Sequence, residues 1–456
     1  MATAGRVRRR SALLGITIGV ALALACLWIV IRPPDDPAGS PLLVRDVTQL
    51  NSILVNEVIT PTSTDEIIQA VKSHAGPISI GGARHSMGGQ IATAGAFHID
   101  MRRFDRILDF SPAKKTITVQ GGVRWRQILE RVDPANLSVS VMQSYANFTV
   151  GGSLSTNVHG RYAGQGPLIT SVKSIKVVLA DGTLVEASST QHSDIFYGVI
   201  GGYGGLGIIT EATLELTDNV KLKRQDQLLP IENYAHYFLD EVRQNADAVF
   251  HNGDIYPDAY ETVHAITYSK TDAPVTVADR LIPTSQSYRL NRFVYWVVSE
   301  WPFGKAFREH VIDPVLFRGE SVTSRNYQSS YDVGELEPAS RANSTYALEE
   351  YFIPTAPPAH PFVSLLVPVP CPLSLVPFLR KRVLKGANGR VLPRMIHRHG
   401  FTDPKNLRAS EGCFFDDDAF WQNDARVRIL AADGIRDQGR LELDDVARLH
   451  PRRDSV

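Results

Sequence analysis

Three glycine-rich segments carry the residues best suited to chemistry. The first, Gly81-Gly82-Ala83-Arg84-His85-Ser86-Met87-Gly88-Gly89-Gln90, directly follows a β-rich run, Pro77–Ile80. Glycines let the backbone turn sharply and approach a ligand closely. Successive N–H groups in such a turn converge on a concavity that holds an anion, and a diphosphate suits it. A plain glycine-rich turn with a structural histidine is the competing reading. The second segment, Gly151-Gly152-Ser153-Leu154-Ser155-Thr156-Asn157-Val158-His159-Gly160, combines close-approach glycines with small hydroxyl and amide donors and reads as a loop. The third is Gly201-Gly202-Tyr203-Gly204-Gly205-Leu206-Gly207. Gly202, Gly204 and Gly207 satisfy GxGxxG, but a dinucleotide fingerprint needs a strand before it and a helix after it. Here a helix-like segment precedes and a β-pattern follows, so a nicotinamide site is rejected. No Gly-Lys-Ser/Thr sequence is present for a nucleotide P-loop.

The elements that must position these segments are legible. Strand-like runs fall at Asn56–Thr60, Pro77–Ile80, Phe97–Asp100, Ile107–Phe110, Thr116–Gln120 and Leu137–Gln143, then at Ser174–Leu179, Thr183–Glu186 and Ile208–Leu216. Ser63 followed by Glu66 marks a helix start, with Ile67, Ile68 and Val71 on its apolar face. Val123–Val132 and Asp194–Ile200 read as further helices. Asp181-Gly182 between two β-runs is a hairpin signal. After residue 220 the pattern shifts to mixed helices and strands rich in aromatics, which implies a second domain.

The three segments, in this order, resemble the FAD-binding domain of the vanillyl-alcohol oxidase / p-cresol methylhydroxylase (PCMH-type) superfamily. The resemblance rests on PxSxGGxRHS, on Val119-Gln120-Gly121-Gly122, on VGGSLSTNVHG, on the Asp181-Gly182 hairpin and on GGYGGLGIIT. Arg84-His85-Ser86 is most similar to the sugar-alcohol and aldonolactone oxidases, whose histidine at this point is bonded to the flavin 8α-methyl. The resemblance implies that Gly81, Gly82, Ala83, Arg84, His85, Ser86 and Met87 hold the diphosphate. Gly152, Ser153, Asn157, Val158, His159 and Gly160 then line the flavin, and Ile209 meets the adenine through its backbone. It implies FAD as cofactor, attached through His85. Neutral imidazole is nucleophilic, and an unperturbed value near 6.5 makes that form abundant at neutral pH.

The fold expected is α+β. A two-subdomain PCMH-type domain spans 46–220, an α+β substrate domain spans 221–390, and a divergent or disordered tail spans 391–456. Glu349-Glu350-Tyr351-Phe352-Ile353-Pro354 is similar to a substrate-domain strand on which an acidic residue faces the substrate, which places the catalytic role on Glu350. His397 and His399 are rival acid–base candidates. The implied activity is oxidation of a CH–OH group in a polyol, sugar or aldonolactone, with oxygen or a quinone taking the electrons. The alternative is a flavin-binding relative impaired in turnover, with a scaffold role.

Composition is compatible with this reading. The 456 residues carry 48 Lys plus Arg against 48 Asp plus Glu, and that balance argues against a nucleic-acid partner. Cys26, Cys371 and Cys413 form no metal motif, and none is expected. Arg6, Arg8, Arg9 and Arg10 (residues 1–10) precede an uncharged run, Ser11–Ile31, long enough at about 1.5 Å per residue to cross a ~30 Å bilayer core. The residues from 32 to 45, rich in Pro and Asp, read as a linker. The arginine bias predicts a single-pass membrane protein with a cytoplasmic N-terminus and an extracytoplasmic catalytic domain. A cleaved signal ending at Ala23-Leu24-Ala25 also fits, but the apolar run continues past it and favours the anchor.

Overall fold

The computed structural model describes residues 40–336 except residue 258, with the paired backbone segments Tyr346–Ala347, Leu379–Arg380, Val383–Lys385 and Val391–Pro393. All of them belong to one structural unit, Met1–Leu348 with Ser374–Met395. The expected span Ser11–Ile31, the three cysteines, Glu350, His397 and His399 lie outside the described residues. Among the described residues, no helix is long and apolar enough to cross a membrane, and no His/Cys/Asp/Glu group could hold a metal ion.

The chain opens with an antiparallel pair, β1 (Leu43–Arg45) and β2 (Ser52–Leu54). Next come β3 (Glu57–Ile59), helix α1 (Thr64–Ser73), β4 (Ile78–Gly81) and β5 (Phe97–Asp100). The last three strands form a parallel sheet in the order β3-β5-β4. Ser63 caps α1 by accepting the Glu66 amide at 3.3 Å. The Glu66 carboxylate accepts the Thr62 amide at 2.8 Å, one residue before the position a capping box would use. Ile67, Ala70 and Val71 recur at helical spacing and pack with Phe97 and Ile99 of β5.

A larger antiparallel sheet follows. Its strands are β6 (Ile107–Ser111), β7 (Thr116–Gln120), β8 (Leu137–Val139), β9 (Val172–Val178), β10 (Leu184–Ala187) and β11 (Ile208–Asp218). The order is β10-β9-β11-β7-β6, with β8 beside the end of β11. Between them run α2 (Trp125–Val132), α3 (Val150–Ser155) and α4 (Ser193–Val199). The β9–β10 hairpin turns at Gly182, whose φ of 78° is the left-handed value that the Asp-Gly pair foretells. Strand β8 stops at Val139, short of the expected Gln143, because its partner offers only Leu216–Asp218.

The third sheet begins immediately after β11. It contains β12 (Lys221–Pro230), β13 (Ala248–Ile255), β14 (Thr262–Lys270) and β15 (Val322–Ser324), in the order β13-β14-β12-β15. The sheet changes after β11, yet the core does not. Leu222, Val249, Phe250, Ile266 and Tyr268 share one apolar cluster with Ile117, Trp125 and Leu154. The chain just after Gly160 also pairs with β13, through Ala163 N to Val249 O (3.0 Å) and His251 N to Arg161 O (2.8 Å). Within the third-sheet region, Arg308 donates to both Asp254 (2.6 Å) and Asp313 (3.1 Å), and Tyr256 donates to Asp313 at 2.8 Å. Burial pushes the Asp254 carboxyl up to about 6 although Arg308 opposes it.

Candidate active site

The first glycine segment leaves the end of β4 as an irregular loop. Arg84 takes a left-handed backbone, φ 64°, which costs a non-glycine residue on the order of 1 kcal/mol. An ion pair holds it there: Arg84 Nη2 donates to Asp100 Oδ2 at 2.9 Å. The same carboxylate accepts Arg102 Nη2 at 2.6 Å. Asp100 is buried, and burial by itself raises its carboxyl. Hydrogen bonds and charge from Arg102, with the charge of Arg84, nevertheless hold it below the usual range. Two guanidiniums share this carboxylate at one side of the loop, while a second carboxylate, Asp46, accepts the Gly89 amide at 3.0 Å at its far end. Arg84 Nε is buried with no hydrogen-bond partner. The amides of Ala83, Arg84 and Ser86 donate to no backbone carbonyl among the described residues. Open backbone amides beside the Arg84 guanidinium suit a diphosphate.

The second segment differs from its reading as a loop. Val150–Ser155 is the short helix α3, and its glycines serve close packing. Gly151 N donates to Gly121 O at 2.7 Å, and Gly121 N donates to Thr210 O at 2.9 Å, so three backbones meet edge to edge. A Cβ on Gly121 would lie 2.5 Å from the Ile209 carbonyl oxygen. Ile209 sits at a β-bulge in β11, where the register with β9 slips between Ile209 and Glu211. The hydroxyl of Ser153 points into the core. It accepts Trp125 Nε1 at 2.9 Å and donates to Gln143 Oε1 at 2.9 Å inside the core, so its place is packing. Asn157 turns the chain with φ 44°, and its side chain accepts the Ile169 amide at 3.0 Å. Val158 accepts the Leu168 amide at 2.8 Å. His159 is half-buried, and the chain at Gly160 passes so close to the Met142 carbonyl that a Cβ would lie 2.2 Å from its oxygen.

The third segment behaves as the sequence indicates. It connects α4 to β11, a helix–turn–strand order. Gly201 N donates to Leu154 O (2.9 Å) and Tyr203 N to Ser155 O (2.8 Å), which ties the turn to α3.

These contacts bring the three segments together. The first meets the second where Gly82 abuts Thr149: a Cβ on Gly82 would lie 2.2 Å from the threonine hydroxyl. The two meet again where His85 stacks on Phe148, ring centroids 4.5 Å apart and planes 26° apart. The second meets the third at Leu154 and Ser155. Phe148 and Thr149 escaped the sequence reading because an aromatic and a threonine before a glycine pair carry no distinctive spacing. Arg161 escaped it too. Its guanidinium sits 5.0 Å from the Phe250 ring centroid and 5.2 Å from that of Tyr331, and it donates to the Gln328 carbonyl at 2.7 Å. Two clefts lie elsewhere. One is walled by α1 and the end of β3. The other, between the ends of β11 and β14, is lined by mixed charges such as Asp218, Lys221 and Arg280.

Residues 55–188 match the family described as FAD binding domain. They form an FAD-binding domain of the PCMH type. The chain is similar to cytokinin dehydrogenase 2 of Arabidopsis thaliana, 28% identical over 187 residues, which are 40% of this chain and 37% of the relative. It is similar to alditol oxidase of a Streptomyces species, 31% identical over 163 residues, 35% of this chain and 38% of the relative. It is also similar to L-gulonolactone oxidase of Mus musculus, 28% identical over 158 residues, 34% of this chain and 36% of the relative. The chain thus spans well under half the length of these relatives. The first two glycine segments lie within the matched residues, and the third, Gly201–Gly207, follows them. The residues fit the cofactor: at the first loop the buried Arg84 Nε lacks a partner, and the Ala83, Arg84 and Ser86 amides meet no backbone acceptor among the described residues.

Proposed function

We propose that this chain is an FAD-dependent oxidoreductase that oxidises a CH–OH group of a polyol, sugar or aldonolactone. The observation that carries the reading is that the first and third glycine segments both meet the chain around α3, the first through the His85–Phe148 stack and the third through Leu154 and Ser155. When bound, the flavin supplies two-electron redox chemistry. The chain's residues orient it: the Gly81–Met87 loop grips the diphosphate, and the backbone of Ile209 at its bulge receives the adenine. His85, on the wall shared by the first and second segments, is the attachment point for a covalent flavin. The stack with Phe148 holds the imidazole in one orientation, which a bond at a single ring atom requires. The alcohol proton needs an acceptor as the substrate is oxidised. Resemblance of the EEYFIP stretch to a substrate-facing strand assigns that role to Glu350. Oxygen or a quinone takes the electrons. Ser11–Ile31 anchors the chain in a membrane with the FAD-binding domain outside the cytoplasm.

The experiment is anaerobic. The flavin-loaded protein is mixed with an alditol, an aldonolactone and a simple primary alcohol, and the visible flavin absorbance is followed. Saturable bleaching by the alditol or the lactone supports the reading. Full absorbance with every CH–OH donor counts against it. The orientation is tested by external protease on spheroplasts, which should digest the chain beyond residue 45; protection reverses it.

A further inference from the structure

We propose that Asp100 is a positioning residue for the cofactor loop, acting through Arg84 to fix the backbone that presents His85. The inference deepens the proposed role of His85 and rests on it in part.

The argument begins with the alternation of β5. Successive side chains on a strand point to opposite faces. Phe97 and Ile99 face the apolar cluster under α1. His98 and Asp100 take the other face, and both support the glycine loop. His98 lies under the start of that loop: a Cβ on Gly81 would sit 2.8 Å from its Nε2. The His98 ring is fully buried and 3.0 Å from the Ser79 hydroxyl through Nδ1. Burial, then the charge of Arg84, lower its pKa to about 4, so it props the loop as a neutral ring. Two residues on, Asp100 grips Arg84 at the far side of the turn.

Arg84 is where the loop needs holding. Its left-handed backbone sets the direction in which the next residue, His85, leaves the turn, and a non-glycine residue does not adopt that backbone unaided. Among the described residues, the side-chain acceptor of its guanidinium is Asp100, itself 1% exposed and anchored by Arg102 and by capping the Arg102 amide at 3.2 Å. A carboxylate fixed from one side by Arg102 is therefore a rigid post for Arg84 on the other.

The test compares full-length wild type with Asp100→Asn, Asp100→Glu, Arg84→Met, Arg102→Met and the double variant Asp100→Asn/Arg84→Met. Two quantities are read: FAD retained at neutral pH, and the flavin that stays with acid-precipitated protein. Asp100→Asn and Arg84→Met should each lower the acid-stable flavin at least fivefold, and the double variant no further than either single. Asp100→Glu should restore part of it. Arg102→Met, which loosens the carboxylate but leaves the grip on Arg84, should give a smaller loss than Asp100→Asn, and the thermal midpoint of each variant controls for local unfolding. Acid-stable flavin at the wild-type level in Asp100→Asn overturns the inference, as does an additive double variant. Should wild type itself release all its flavin in acid, the tether fails while the positioning role is still read from FAD dissociation. In that case, weakening of less than twofold in Asp100→Asn overturns it.

Discussion

The imidazole of His85 lies against the ring of Phe148, with 4.5 Å between centroids. His85 belongs to the first glycine segment and Phe148 lies three residues before the second, so the stack joins the diphosphate loop to the chain leading into α3. Stacked rings contribute about 0.5–1.5 kcal/mol beyond area burial. Phe148→Ala should therefore leave the chain folded, with a stability loss of no more than a few kcal/mol, while the share of flavin that survives acid precipitation drops severalfold. Phe148→Tyr, which keeps the ring, should resemble wild type. An alanine variant with unchanged acid-stable flavin would show that the stack does not orient His85.

The helix–turn–strand order around GGYGGLG predicts that the turn serves geometry and binds no nicotinamide. Gly204 has φ 77°, and a Cβ on Gly207 would lie 2.6 Å from Val177 Cγ1 and 2.7 Å from the Val178 carbonyl oxygen. Valine at 204 meets the steric penalty of the left-handed region, about 1–2 kcal/mol. Valine at 207 forces overpacking against β9, with a cost of about 1–3 kcal/mol. Both variants should show reduced flavin loading and a lower thermal midpoint. The helix–turn–strand order also leaves no helix N-terminus for a pyrophosphate. Anaerobic titration with NADH should leave the flavin oxidised; rapid saturable bleaching at micromolar NADH would contradict the assignment.

Acid should destabilise the fold before ordinary carboxylates titrate. Burial lowers His98 and His251 to about 4, whereas in the unfolded chain each titrates near 6.5. As pH falls below 6.5 the unfolded state takes up protons that the folded state refuses, so stability drops towards pH 4. Asp254 acts in the opposite sense. Its folded value, raised to about 6, lets the native state bind a proton first and offsets part of the loss. At about 1.4 kcal/mol per unit, two histidines against one carboxyl leave a net loss on the order of 3 kcal/mol between pH 7 and 4. Urea midpoints at the two pH values measure it, and a rise in stability on acidification would refute the assignment of neutral buried rings.

The first helix offers a local check. Ser63 is the side-chain cap of α1, and its loss frees the Glu66 amide. Ser63→Ala should cost about 1 kcal/mol, and Ser63→Asp should restore most of it. Denaturant midpoints decide; equal stability of Ser63→Ala would mean that the Thr62–Glu66 contact alone closes the helix end.

Much of this was legible in the sequence because local chemistry dictates it. The Ser63 cap, the Asp181-Gly182 turn and the alternation along β11 each depend on neighbours within a few residues. The helix–turn–strand order around Gly201–Gly207 followed from the same reasoning. What escaped depends on contacts between distant segments. Ser153 reads as a flavin donor, yet its hydroxyl is consumed by Trp125 and Gln143, neither of which is near enough in sequence to signal it. Asp100 reads as the last residue of a strand; only the fold shows that its carboxylate reaches Arg84. Residues 151–155 read as a loop because paired glycines usually break helices. Tertiary hydrogen bonds such as Gly151 N to Gly121 O override that propensity here.

The central claim is that the three glycine segments form one FAD site with His85 at the flavin. The most direct measurement is the flavin content of purified full-length protein and of His85→Ala, before and after acid precipitation. The account predicts close to one FAD per chain in the wild type, with colour remaining in the precipitate. His85→Ala should still bind FAD but release it to the supernatant. A wild type that cannot be loaded with FAD contradicts the site itself, and a loaded wild type whose colour passes wholly into the acid supernatant contradicts the place given to His85.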